Sequence, residues 1–149
     1  MSPRLPNLAR DERGTSLIEF GFLAPVLAVL AMGVIDLSRG LAERFQLQQA
    51  VNRSLELVQA RPAVAAANGT DPDYTFAEDE AKAAAGTGAT VLMTRWLECD
   101  GVEQAAVTGD CEDDEDTARY LRIRITKNFQ GDFYYATIPM TATGTVRTQ

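Results

Sequence analysis

Glu19, Cys99 and Cys111 are the residues whose type and setting could carry chemistry in this chain of 149 residues. There is no histidine. That excludes a Ser-His or Cys-His catalytic pair and any zinc site with an imidazole ligand. An enzyme built from what remains would need a carboxylate pair or a Ser-Lys arrangement, and no spacing in the sequence argues for either. Cys99 and Cys111 form an even pair that can close a short loop in an oxidising compartment. Such a closure is worth about 3 kcal/mol in the chain-entropy model. In a reducing compartment the same residues would be free thiols. Just beyond Cys111, Glu112 to Asp116 is an unbroken acidic run. Counted from Asp110 as a calcium loop, it has Glu115 where the sharp turn needs glycine and Leu121 where the last acidic ligand belongs. A solvated acidic loop is the favoured reading, weak calcium binding is the alternative, and no cofactor or resident metal is expected.

Glu19 is unusual because of what surrounds it. Leu17 to Ile35 is otherwise apolar residues, glycine or proline. At 1.5 Å per residue that run spans on the order of 28 Å, close to the hydrocarbon thickness of a bilayer. A carboxylate near the middle of such a span costs roughly 2.5–3.5 kcal/mol on insertion scales, and less near an interface. Its position alone is equally compatible with a tolerated charge at headgroup level. Arg4, Arg10 and Arg13 precede the run, against Arg39 and Arg44 after it. The cationic flank favours a cytoplasmic N-terminus and leaves the rest of the chain outside the cytoplasm. The run is long for a cleaved secretory signal, and no small-residue cleavage site follows it. The net charge of −7 gives nucleic acid no basic patch to bind.

The local pattern is specific. A basic leader, Gly14, then Thr15-Ser16-Leu17-Ile18-Glu19 and an apolar helix resemble the processing signal of type IV prepilins. Carried over, that resemblance implies cleavage by a membrane-embedded prepilin peptidase between Gly14 and Thr15, which makes Glu19 the fifth residue of the mature chain. It also implies a pairing of Glu19 with the new amine of a neighbouring subunit. Arg13-Gly14, Glu19-Phe20, Pro25 within the span, and Asp36, Arg39 and Gly40 at its end resemble, more narrowly, the opening of TadE-like proteins, the pseudopilins of the tight-adherence (Tad) pilus. The stretches RYLRIRITKNF and PMTATGTVRTQ resemble the strand-rich ends of the same family. Tad major pilins are far shorter, so the resemblance implies a minor pilin or pseudopilin.

The elements that position these residues follow from periodicity. Leu47, Val51, Leu55 and Val58, with Leu41 and Phe45 before them, recur at helical spacing, and Arg61-Pro62 is a plausible stop. Residues 66–74 read as a loop. Thr75 to Glu78 has the capping-box pattern and opens a short helix to about Ala85. Leu121, Ile123 and Ile125 alternate with Arg122 and Arg124, and Met140 to Val146 alternates with threonines. Both are half-buried strands. Val91 to Cys99 is a third strand candidate whose period is unclear. Phe129, Phe133, Tyr134 and Tyr135 surround a turn at Gly131-Asp132, as core or as a subunit contact. Asp36 and Arg39, three residues apart, can pair on one helix face and mark the membrane interface.

The expected fold class is α+β. A leader (1–14), a transmembrane helix (15–36) and a helical stalk (37–62) precede a small antiparallel-sheet head (63–149) lying in the periplasm. The expected function is that of a non-enzymatic subunit of a Tad-type pilus assembly and secretion system in the bacterial inner membrane. Its partners would be the prepilin peptidase, the major pilin, other pseudopilins, the inner-membrane assembly platform and the lipid bilayer. The rival is an unprocessed single-span protein whose periplasmic head binds a ligand or an envelope partner.

Overall fold

A computed structural model describes residues 13–60, 73–105, 109–112, 114–133 and 137–148, with side chains described from Leu17 onward. The leader up to residue 12, Arg61-Pro62, most of the 66–74 loop, Tyr134 and Tyr135 lie outside the described residues. The layout is the α+β one: a long N-terminal helix followed by a small antiparallel sheet.

Helix α1 runs from Arg13 to Ala60 without interruption, 48 residues or about 72 Å. Pro25 sits inside it and does not end it, so span and stalk are one rod. Helix α2 (Thr75–Ala85) follows. The strands are β1 (Ala89–Cys99), β2 (Val102–Glu103), β3 (Thr117–Gln130) and β4 (Thr137–Arg147). They form one antiparallel sheet in the order β2-β1-β3-β4. Pro139 is accommodated because β4 is an edge strand, where no ladder bond is lost on the open side.

The core lies between the outer half of α1 and one face of the sheet. Leu47, Ala50, Val51 and Val58 of α1 meet Leu121, Ile123 and Ile125 of β3 and Ala142 and Val146 of β4. Register explains the choice of β residues, because Leu121 faces Val146, Ile123 faces Gly144 and Ile125 faces Ala142. A Cβ on Gly144 would come within 2.6 Å of both Val51 Cγ1 and Leu55 Cδ1. Glycine there lets the helix touch the sheet backbone. Ser54 is fully buried in this interface, and its hydroxyl donates to the Ala50 carbonyl at 2.8 Å.

The small alanine face of α2 (Ala77, Ala81, Ala85) closes the core from the side. The capping box expected at Thr75 is not formed. The helix begins one residue earlier than that pattern requires, with Tyr74 at the cap position and no side-chain cap bond. Asp73 accepts from the Thr75 amide at 2.9 Å instead, and that bond holds its carboxyl below the usual range. Glu78 is turned toward Lys82, 2.5 Å away and four residues on. At the other end of α2, Lys127 donates to the Ala85 carbonyl at 3.1 Å and pairs with Glu43. Gln46 Nε2 donates to the Ala84 carbonyl at 3.0 Å. A cation on the last carbonyls of a helix suits its dipole, and here one lysine joins α1, α2 and β3.

Cys99 and Cys111 are joined in a disulfide with Cα atoms 5.7 Å apart. It fastens the acidic loop to the far end of β1. The double substitution Cys99→Ser, Cys111→Ser is expected to lower head stability by about 3 kcal/mol. Denaturant unfolding followed by Trp96 fluorescence reads this directly, and reduction of the unmodified chain is expected to give the same shift. The Glu115 carboxylate comes within 4.8 Å of both sulfurs, but a disulfide has no thiolate to offer a metal.

Candidate functional site

The inner half of α1 projects free of the head. The stretch beginning at Leu17 is long and apolar enough to cross a membrane, and none of its most apolar window is buried within the chain. Leu17, Phe20, Phe22 and Val29 are each at least two-thirds exposed or close to it (77%, 66%, 75% and 69%). A soluble chain rarely leaves so large a contiguous apolar surface bare. Gly14 and Thr15 are in the first turn of α1, and Glu19 follows Thr15 by about one turn. Glu19 is exposed on this bare segment, so a partner for its carboxylate has to come from outside the described residues.

One face of α1 carries the head. Gly33, Asp36, Gly40, Leu47, Val51, Ser54 and Val58 fall on it at helical spacing. Phe45 does not, since it is about 200° around the helix from Leu47, and Leu41 lies at the margin, on the wall of a cleft shared with Ile138 and Met140. Both are exposed, Phe45 at 63%, which corrects their placement on the buried stripe. At the end of the apolar run this face becomes polar for one residue. Asp36 is 7% exposed, and its two oxygens accept from the backbone amides of Asp132 and Phe133 at 3.0 and 3.1 Å. Arg39 pairs with the Asp132 carboxylate. The two residues expected to mark the membrane interface thus both engage the turn between β3 and β4 and fix it to the helix. The close approach continues at Gly40, where a Cβ would lie 3.5 Å from Phe129 Cε1.

This junction was missed from sequence, although a signal existed. An acidic residue just past an apolar span and a Gly-Asp turn flanked by phenylalanines are both visible, but nothing in the chain order connects them. Asp36→Ala is expected to release the turn, because two amides lose a charged acceptor and each such bond is worth about 1.5–3 kcal/mol. Hydrogen exchange at the Asp132 and Phe133 amides should accelerate while the β1–β3 ladder keeps its protection. Asp36→Asn, which keeps one acceptor oxygen, should fall between the two.

Among the described residues this arrangement joins α1 to the head. Its chemistry is that of attachment: an apolar rod, one carboxylate near its start, and a head fastened at its exit. The rod carries the family signature. Residues 14–54 match the TadE-like protein family. The matched stretch opens at Gly14, contains Glu19, Asp36 and Arg39, and ends at Ser54, next to last on the head-facing stripe. The TadE-like segment implies a protein associated with the Tad pilus. It does not extend into β3 or β4, so the disulfide, the β3–β4 turn and the sheet lie outside it. No curated protein and no solved structure matches the chain.

Proposed function

We propose that this chain is a minor pilin or pseudopilin of a Tad-type pilus assembly and secretion system. In this reading Leu17 to Ile35 anchors it in the bacterial inner membrane, the leader is cytoplasmic and the head is periplasmic. A prepilin peptidase hydrolyses the Gly14–Thr15 bond, leaving a carboxylate on Gly14 and an amine on Thr15. The observation that carries the reading is the TadE-like match running from Gly14 through Glu19 along a helix whose apolar surface is bare. The leader arginines support the orientation, and the disulfide supports an oxidising compartment for the head.

The physical role of Glu19 follows. Alone in a bilayer its charge is costly. Beside a neighbouring subunit it can pair with that subunit's Thr15 amine, so lateral association relieves the cost and sets the stagger between helices. The chain itself performs no catalysis. Its partners are the peptidase, the major pilin, other pseudopilins and the assembly platform. Deleting the chain in its own bacterium should remove Tad pili and surface adhesion, and re-expression should restore both. Wild-type piliation in the deletion strain would overturn the proposal.

A further inference from the structure

An apolar cleft of about 360 Å³ opens between α1 and the membrane-proximal ends of β3 and β4. Its walls include Gly33, Leu37 and Leu41 from the helix and Phe129, Ile138 and Met140 from the strands. Gly33 belongs to the apolar run that ends at Ile35. Ile138 and Phe129 therefore share one cavity with a residue of the membrane span. The neighbouring turn is held at the same level, since the Phe133 amide is bonded to Asp36, the first residue after the run. Phe133 and Ile138 are 46% and 51% exposed, and Leu37 is 64% exposed. If the span fills the hydrocarbon layer, these side chains cannot be far from it. The headgroup zone beyond it is only about 5–8 Å thick on each side, and aromatic and aliphatic side chains are stabilised there.

We propose that the base of the head is a lipid-contacting foot. In this arrangement Phe133 and Ile138 sit in the bilayer interface and the cleft above Gly33 is filled by lipid chain rather than by protein. The occupant is a lipid surface because the cleft is continuous with the span and begins inside it. The Asp36 bonds fix the depth of the foot. Its consequence is a head seated on the membrane at a set angle, instead of one swinging on a bare stalk. The inference rests on the anchored reading of α1, and the test separates the two.

The test uses the full-length chain reconstituted in vesicles of phosphatidylcholine and phosphatidylglycerol whose acyl chains carry bromine near the headgroup, a short-range quencher of tryptophan. The chain has one tryptophan, Trp96, paired through Tyr120 at the far end of β3. That lies on the order of 30 Å of strand from Phe129, and its emission should be unaffected. In a Trp96→Phe background, single tryptophans are placed by Phe22→Trp in the span, Phe133→Trp in the turn and Ile138→Trp on the edge strand. The foot predicts that all three lose much of their emission in brominated vesicles and that the last two shift to the blue relative to detergent-free unfolded chain. Quenching of Phe22→Trp without quenching of Phe133→Trp and Ile138→Trp would overturn the foot and leave the anchor standing. Absence of quenching at Phe22→Trp as well would overturn the anchor and the foot together. Quenching of Trp96 equal to that at the turn would also overturn it, since the whole head would then lie on the surface.

Discussion

Replacing Gly144 with alanine is expected to lower the stability of the head by about 1–3 kcal/mol, the usual cost of overpacking a filled core, and valine is expected to prevent the sheet from closing on α1. The reason is geometric. The new Cβ would lie 2.6 Å from two side-chain atoms of α1. Leu55 can move aside, because it is only partly buried. Val51 cannot, being fully buried and held to one rotamer on a helix. Denaturant unfolding of the detergent-solubilised chain, followed by Trp96, measures the loss. Val51→Ala should recover part of it in the Gly144→Ala chain while destabilising the unmodified one. Such opposite signs belong to a shared contact. An unchanged midpoint for Gly144→Ala would mean that α1 and β4 do not approach this closely.

Glu19→Ala is expected to abolish piliation while leaving the protein in the membrane. Removing the carboxylate makes insertion easier by up to about 2.5–3.5 kcal/mol, so the variant should be extracted from membranes at undiminished levels. What it loses is the reason for subunits to associate in one stagger. Glu19→Gln, which keeps the shape without the charge, should fail in the same way. Complementation of the deletion strain, scored by surface pili, separates this from a packing effect. Wild-type pili from the alanine variant would show that the charge is merely tolerated at headgroup level.

The parts of the fold that sequence reveals are those where one periodicity acts alone. Leu121, Ile123 and Ile125 face the core and Arg122 and Arg124 do not, so β3 reads plainly, and β4 follows through its alternating threonines. The stalk reads through Leu47, Val51 and Val58. β1 is obscure because three residues contradict its alternation, the first being Leu92, apolar yet 54% exposed. Arg95 shares a face with Val91, Met93 and Leu97, and its guanidinium lies 5.9 Å from the centre of the Tyr74 ring. Trp96 is on the opposite face, stacked on Tyr120 with Arg122 over it at 4.6 Å, so a large apolar ring is covered outside the core. The short hairpin to β2 carried a turn signal that went unused. Asp100 and Gly101 both have positive φ, +50° and +80°, as a two-residue hairpin turn requires.

The candidate site divides along the same line. Gly14, Thr15 and Glu19 are local in sequence, so a short motif exposes them. The Asp36 bonds to the β3–β4 turn join residues nearly a hundred positions apart, and no periodicity reports such a contact. Leu41 and Phe45 show the converse error. They have apolar spacing of their own, but it runs around the helix away from the Leu47–Val58 stripe, and both stay exposed beyond the end of the apolar run.

The central claim is that this is a processed TadE-like pilin, and the mass of the membrane-extracted protein tests it most directly, with and without its cognate prepilin peptidase. The account predicts a chain beginning at Thr15 when the peptidase is present and an unprocessed one when it is absent. A chain still beginning at Met1 in the presence of active peptidase would contradict it, and would leave an anchored protein whose function resides in the head.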